Sequence, residues 1–286
     1  MTFTGGTPGR AALHLARAAS FAPSAHNSQP WFFVEEGHDG GFEVQADPGR
    51  RMALTDPDAR EMVAAATQEE ESPAQAMPLR HTHRGPFGPE PVTEELLSDL
   101  RDQARSEGVI LQMLDVPEMV GMLARLVHTA ERAVRADLWR AVEPAHGVGP
   151  TGVPVAACRA HPDLTLLAGR DYLGLSRRYT VPERRRGAGT GIVAVLCTPY
   201  DHCADWLLAG QALQRVLLCT AGHAVMAGFH TQSLERPDLR EEMRRWVTAG
   251  RHPQMALRLG RPPHVRPTLR RPLRQVLTRA PVPLVR

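Results

Sequence analysis

The chain has 286 residues, a length that fits one large domain or two small ones and can bury a sizeable core. Its apolar content of 42% and charged content of 23% are ordinary for a soluble globular protein, and its net charge of +3 is too small to indicate nucleic-acid binding. All 34 basic residues are arginines, so a mechanism that needs a lysine Schiff base is excluded.

The cysteine and apolar patterns predict a cytoplasmic protein without a membrane partner. The four cysteines show no metal-type spacing, which favours buried free thiols in a reducing compartment. They are Cys158, Cys197, Cys203 and Cys219. Arg10, His14 and Arg17 interrupt the first apolar stretch, so we expect no secretory signal. No run approaches the roughly 20 apolar residues of a membrane span.

A predicted helix and a polar loop open the chain. Residues 10–21 are rich in Ala and Leu, and Pro23 ends the helix that they predict. Residues 22–31 read Ala-Pro-Ser-Ala-His-Asn-Ser-Gln-Pro-Trp, in which two prolines restrain the backbone around polar side chains. Polar loops between rigid elements are typical places for binding residues. The alternative interpretation is a connector whose polar groups only satisfy its own backbone.

This loop resembles the Pro-Ser-x-x-Asn-x-Gln-Pro-Trp signature of the FMN-dependent nitroreductase family, in particular its fused, double-unit Acg-type branch. Some members of that branch are thought to sequester flavin rather than turn over substrate. The resemblance implies an α+β fold, with a mainly antiparallel sheet flanked by helices, and a bound FMN. The loop residues that it implies for FMN binding are Pro23, Ser24, Asn27 and Gln29.

After a predicted hairpin and a short helix, the chain departs from the family pattern at residues 64–75. A strand at 31–35 and alternating apolar residues at 42–46 predict a hairpin, and Asp56 followed by Pro57 predicts a short helix up to residue 63. Relatives with this signature continue into a long buried helix, whereas residues 64–75 are small and acidic like a linker. We therefore expect a shortened first half, whose exposed apolar surface a second copy of the chain would cover in a homodimer.

Residues 80–84 read Arg-His-Thr-His-Arg, and two guanidiniums around a hydroxyl can surround a phosphate. The segment is similar to the Arg-x-Ser/Thr-x-Arg opening of single-unit nitroreductases, so the resemblance implies that Arg80, Thr82 and Arg84 hold the FMN phosphate. Its late position implies two halves, 1–79 and 80–286, in one compact fused pseudo-dimer with one FMN. An exposed basic turn is the alternative. A metal site at His81 and His83 is not predicted, because the ligand set is incomplete.

The middle of the chain predicts core elements followed by a weakly patterned stretch. Apolar stripes predict helices at 92–106 and 117–139, with a strand at 109–114 between them. Residues 144–190 are rich in Gly, Pro and Arg, and 184–189 reads as a mobile loop. This stretch is either a lid over a pocket or a disordered surface segment.

A buried strand is predicted at 191–197 and a long central helix at 201–228, on which Gln211 and Gln214 are expected to be exposed rather than bound to ligand. In the family, the stretch after this helix runs past the flavin ring and its backbone N–H groups approach N5. The resemblance therefore implies that the following residues contact FMN: Gln232, Ser233 and Leu234.

The last informative stretch is a predicted strand at 254–260 with a basic tail. Residues 260–273 are similar to the Gly-x-Pro…Arg-x-Pro-Leu tail of nitroreductases, in which a basic residue adds to the phosphate site. The resemblance makes Arg270 and Arg271 the candidates. A plain basic tail is the alternative interpretation.

Three functional hypotheses follow. The first is an oxidoreductase that moves a hydride from NAD(P)H through flavin N5 to a small acceptor such as a nitroaromatic or a quinone. Because the flavin performs that chemistry, no catalytic residue is assigned. The second is a protein that stores FMN without turnover, and the third is a degenerate scaffold that has lost FMN.

Overall fold

The computed structural model describes residues 9–36, 41–60, 76–150 and 152–279. Its main sheet is antiparallel, and the strands run in the order β3-β4-β6-β5. These strands are β3 (Ile110–Met113), β4 (Ile192–Thr198), β5 (Met226–Phe229) and β6 (His252–Gly260). With helices on both faces, this sheet confirms the predicted α+β class.

A second, three-stranded sheet joins the two ends of the described chain. The hairpin of β1 (Trp31–Glu36) and β2 (Gly41–Ala46) confirms the predicted one. An unpredicted strand, β7 (Leu277–Arg279), pairs in parallel with β1. Trp31 and Phe33 bury their rings against Val276 and Leu277 in a small separate core.

The main sheet is covered on both faces because its strands alternate their side chains. The helices are α1 (Arg10–Ala19), α2 (Glu94–Ser106), α3 (Pro117–Ala136), α4 (Leu138–His146), α5 (Cys203–Gly222) and α6 (Pro237–Trp246). On β4, Ala194 and Leu196 pack in one core with residues of α2 and α5. Val193 and Val195 pack in the opposite core with residues of α3 and α6.

The predicted helix over 201–228 is wrong at its end. It stops at Gly222, Ala224 takes a left-handed φ of 56°, and β5 begins at Met226. The apolar run 224–229 has no clear period, so a buried helix and a buried strand look alike in it. Gln214 also differs from its prediction, since it is buried.

The predicted helix over 117–139 breaks at Asp137. This residue is extended, and its carboxylate caps α4 by accepting from the backbone N–H groups of Trp139 and Arg140. Helices α4 and α6 were not predicted.

The helix predicted from Asp56 begins later, because residues 57 and 58 form a turn, Ala59 has a φ of 57° and the first helical residue is Arg60. The rest of that prediction, at residues 61–63, and the linker at 64–75 lie outside the described residues. The predicted mobile loop at 184–189 contains one short exposed 3-10 turn, Glu183–Arg185.

The four cysteines are free thiols, but the prediction that they are buried is correct only for Cys158 and Cys197, because Cys203 is exposed and Cys219 is half-buried. Within the described ranges, the structure contains no helix long and apolar enough to cross a membrane.

Candidate functional site

One large cavity lies where the polar loop, residues 82–84, residues 157–172, α5 and the end of β5 meet. Its empty space, counted with the opening to solvent, is about 1650 Å³. The cavity opens to solvent, and its lining combines apolar side chains with charged and polar ones.

Residues 82–84 reach the cavity by extending the main sheet at its β5 edge. Thr82 forms a parallel bridge with Ala227, and the His83 amide donates to the Ala227 carbonyl at 2.8 Å. Gly228 makes this approach possible, because a Cβ there would lie 2.7 Å from the His83 carbonyl oxygen. The sheet edge thus fixes the backbone from which Thr82 and Arg84 line the cavity.

The polar loop is strained. His26, Asn27 and Gln29 all have φ between 50° and 56°, a left-handed conformation that costs non-glycine residues on the order of 1–3 kcal/mol each. The Asn27 amide holds the loop by donating to the carbonyls of Gly152 at 3.0 Å and Leu269 at 3.1 Å. Such strain persists where surrounding contacts over-determine it, which is typical of functional sites.

The C-terminal tail supplies further contacts to this loop. Arg270 donates to the Asn27 side-chain oxygen at 2.8 Å and to the Ser20 carbonyl at 2.9 Å. The Arg271 amide donates to the Gln29 side-chain oxygen at 2.7 Å. These four predicted site residues therefore bind one another and shape the loop, and they do not line the cavity.

Three guanidiniums at this place have no carboxylate partner among the described residues: Arg80, Arg84 and Arg270. Burial, then the charges of Arg270 and Arg84, lower the pKa of Arg80 to about 9. Burial and then Arg84 lower the pKa of Arg270 to about 10. The Arg84 Nη1 is buried without a hydrogen-bond partner. Buried charges are costly unless they are paired, so the electrostatics of this place suit an anion.

The predicted residues thus divide into two sets. Those that line the cavity are Pro23, Ser24, Thr82, Arg84 and Leu234. Those that are buried beside it are Asn27, Gln29, Arg80, Gln232, Ser233 and Arg271, and Arg270 is half-buried. Gln232 donates to the Ala168 carbonyl at 3.0 Å, which turns its side chain into the protein.

Sequence reasoning missed three cavity residues, His26, Arg170 and Tyr172. The His26 Nδ1 and the Tyr172 hydroxyl are 2.6 Å apart, and Arg170 forms an ion pair with Glu235. Arg170 and Tyr172 belong to the weakly patterned stretch, in which nothing marks them. His26 was visible in the loop but occupies an unspecified position of the signature.

None of these three side chains, His26, Arg170 and Tyr172, carries a negative charge at neutral pH. Burial, then the charges of Arg170 and Arg84, lower the pKa of His26 well below its ordinary value. Burial raises the pKa of Tyr172 although Arg84 and Arg170 oppose the shift. A neutral imidazole and a neutral phenol therefore share the hydrogen bond.

A second buried pair, Arg258 and His230, also borders the cavity. Arg258 donates from Nε to the His230 Nε2 at 2.8 Å and stacks on Phe87, with its guanidinium carbon 4.8 Å from the ring centre. The His230 Nδ1–H donates to the Ala168 carbonyl at 3.1 Å. Burial lowers the pKa of Arg258 to about 10, and burial followed by the Arg258 charge lowers that of His230 well below its ordinary value.

A second group of charged residues borders the cavity and surrounds Asp201. Asp201 accepts from Arg60 and from the Trp206 indole, both at 2.8 Å, and Arg240 lies 3.5 Å from it. Arg60 also stacks on the Trp206 ring at 5.2 Å. These arginines share a carboxylate, unlike the group around Arg84.

No three His, Cys, Asp or Glu side chains gather as metal ligands could within the described ranges. The His83 Nε2 is 2.9 Å from the Pro86 carbonyl, so His83 is occupied by the backbone.

No protein-family model matches the chain, and no curated protein sequence matches it significantly. Among solved structures, the chain is similar to a nitroreductase with bound FMN from Desulfitobacterium hafniense, with 12% identity over 71% of this chain and 95% of that one and a TM-score of 0.45. It is also similar to an FMN- and NADPH-dependent nitroreductase from Sphigopyxis, with 15% identity over 71% and 96% and a TM-score of 0.45. At these values the matches establish neither a family nor an activity for this chain.

Proposed function

We propose that this protein binds FMN and acts as a nitroreductase-like oxidoreductase that takes a hydride from NAD(P)H for a small acceptor. The observation that supports it best is a group of three guanidiniums, Arg80, Arg84 and Arg270, that have no carboxylate partner in the described part of the chain. They gather where two segments with nitroreductase-like sequences, residues 22–31 and 80–84, meet at one large cavity.

The residues present fit a flavin mononucleotide. The buried, unpartnered Arg84 Nη1 and the neighbouring Thr82 hydroxyl are donors for its phosphate, and Arg80 and Arg270 add positive potential. Ser24 lines the cavity as a further polar contact. The apolar wall suits a planar ring and is formed by Leu213, Phe229, Leu234 and Met255.

When bound, the flavin would supply the hydride transfer between the nicotinamide and the acceptor. The protein would position the two substrates and exclude water. The aromatic end around Trp206 is the part of the cavity where a planar acceptor could bind. We assign no protein acid or base to the reaction.

The first test is the visible spectrum of the purified protein, with and without added FMN. We expect a flavin band that NADPH bleaches in the absence of oxygen. A band that NADPH does not bleach would replace this proposal by flavin storage, and the absence of a band after incubation with FMN would leave only the scaffold hypothesis.

Arg84→Ala tests the site itself. A charge-assisted hydrogen bond is worth about 1.5–3 kcal/mol, so we expect FMN to bind roughly ten- to hundredfold more weakly. Arg105→Ala is the matched control, because Arg105 is exposed on α2 and pairs only with Asp102. Unchanged FMN affinity in the Arg84 variant would refute the assigned site.

Several finer predictions accompany this proposal. The Acg-type fused pseudo-dimer, the halves at 1–79 and 80–286, the cytoplasmic location, the lack of a nucleic-acid partner and the homodimer stay predictions. Light scattering of the purified protein tests the homodimer directly, since a monomer at micromolar concentration would contradict it.

A further inference from the structure

Arg170 is a buried cation with only part of its hydrogen-bonding capacity used. Its side chain is 8% exposed, and its Nη2 binds Glu235, whose side chain is 9% exposed. Its Nη1 is buried and has no hydrogen-bond partner. Arg170 also lines the cavity, so its unused donor belongs to a residue at the cavity wall.

Arg84, close to Arg170, also has an unused hydrogen-bond donor. Its Nη1 is also buried without a partner, and both guanidiniums act electrostatically on His26 and on Tyr172. The four side chains therefore form one cluster. They come from the polar loop, from the β5 edge of the main sheet and from the stretch 157–172.

The hydrogen bonds of this cluster leave only donors unused. Arg84 opposes the rise in the pKa of Tyr172 by its charge and by a side-chain hydrogen bond, and a phenol that accepts from Arg84 would direct its own O–H to the His26 Nδ1, 2.6 Å away. A neutral imidazole that accepts at Nδ1 carries its proton on Nε2. That Nε2–H has no hydrogen-bond partner among the described residues.

We propose that Arg170, Tyr172 and His26 complete, together with Arg84, a buried subsite for the doubly charged oxyanion of a phosphate monoester. The inference rests on the proposed function in that the FMN phosphate is the first candidate for this anion. Two guanidinium Nη1 donors and one imidazole N–H would face the oxyanion. Tyr172 would act as a positioning residue, because it sets the tautomer of His26.

The charged groups around the cluster agree with a subsite for a phosphate monoester. Glu235 is bound by Arg170 and by the Thr231 hydroxyl. Asp56 and Asp58 also line the cavity, but they are not among the charges that shift the pKa values of His26 and Tyr172. Cys158 is also close, and burial raises the pKa of its thiol against the opposing charge of Arg84, so it adds no negative charge at neutral pH. Arg80 adds a third positive charge near Arg84. A dianion would therefore enter a place with an excess of positive charge.

The test compares FMN with riboflavin, which has the same ring and no phosphate, by quenching of flavin fluorescence on the full chain. The ratio of the riboflavin to the FMN dissociation constant measures phosphate recognition alone. We expect Arg170→Gln to reduce this ratio roughly tenfold or more and Tyr172→Phe to reduce it roughly threefold. Arg105→Gln, at the exposed surface of α2, should leave it unchanged.

Arg170→Gln also leaves Glu235 without its partner, so a second variant is needed. The double variant Arg170→Gln/Glu235→Gln removes both charges of the pair and keeps side chains of similar size. If Arg170 attracts the phosphate, the double variant retains the reduced ratio. Recovery of the normal ratio would instead assign the effect to the stranded carboxylate and overturn the proposal.

A calorimetric titration with inorganic phosphate identifies the source of the anion. A reduced FMN ratio assigns the subsite to the flavin phosphate. An unchanged ratio, with phosphate binding to the flavin-loaded protein tenfold weaker in Arg170→Gln, assigns it to an anionic second substrate. If both quantities are unchanged, the subsite does not exist.

The same titration separates this inference from the proposed function. If the unaltered protein binds no flavin, the proposed function fails, and phosphate binding that Arg170→Gln weakens would still support the subsite.

Discussion

Two groups of arginines border the same cavity and differ in what balances their charge. Arg60 and Arg240 share the carboxylate of Asp201, which also accepts from Trp206. Arg80 and Arg84 have no carboxylate among the described residues and push down the pKa values of their neighbours. The balanced group has its carboxylate without a ligand, whereas the unbalanced group carries a cost of buried charge that an anion would offset. Charge balance thus distinguishes the two groups more clearly than the number of arginines.

The largest effect on stability is expected in the balanced group. Asp201→Asn would leave two arginines without their carboxylate and lower the free energy of unfolding by about 2–3 kcal/mol, as measured by urea denaturation. Asp102→Asn, in an exposed ion pair of α2, is the control and should change it by less than about 1 kcal/mol. A loss at Asp201 no larger than at Asp102 would contradict the comparison.

In the unbalanced group, we expect the change in unfolding free energy to have the opposite sign. Arg80→Met removes a buried charge without stranding a carboxylate, so the ligand-free protein should keep or gain unfolding free energy. FMN should protect this variant against urea less than it protects the unaltered protein. A loss of more than about 2 kcal/mol without ligand would show that Arg80 is structurally paired after all.

Gly228→Ala tests the backbone that presents Arg84. The new Cβ would meet the His83 carbonyl oxygen at 2.7 Å, and relief would require the β5 edge to shift. We expect a cost of about 1–3 kcal/mol in unfolding free energy and weaker FMN binding. Gly222→Ala at the end of α5 is the control, because a Cβ there meets no atom within 4 Å. Similar losses in both variants would exclude a specific role for the close approach.

The smallest effect is a pH dependence from the imidazoles of His26 and His230. Their folded pKa values lie well below the ordinary value of 6.5, so the unfolded chain binds more protons just below pH 6.5. Stability should therefore be complete above pH 6.5 and fall as the pH drops below it, as thermal unfolding at several pH values would show. His26→Asn should reduce this slope, and a slope of the opposite sign would contradict the assigned neutral state.

The sequence was most informative where chemistry and spacing coincide. The polar loop, the hairpin and the pair of Thr82 and Arg84 could all be predicted, because proline spacing, period-two alternation and a hydroxyl between two arginines are local signals. Arg170 and Tyr172 could not, since they lie in a stretch of short turns without period, and only the three-dimensional contacts bring them to Arg84.

The tail arginines teach a related lesson. Arg270 and Arg271 were expected at the ligand, and the structure uses them to hold the loop that carries Asn27 and Gln29. Sequence similarity can indicate that residues belong to one site, but it does not separate those that touch a ligand from those that hold the others in place. That distinction depends on which side chains line the cavity and which ones lie behind them.

The pairing of β7 with β1 joins segments that are far apart in the chain. The strained loop is held by Arg270 and Arg271, and the strand that follows it pairs with Leu277–Arg279. Contacts between distant segments must first overcome the entropy of closing a long loop, whereas β4, β5 and β6 of the main sheet pair within residues 192–260. We therefore expect the main sheet to form first and the polar loop to receive its restraints last.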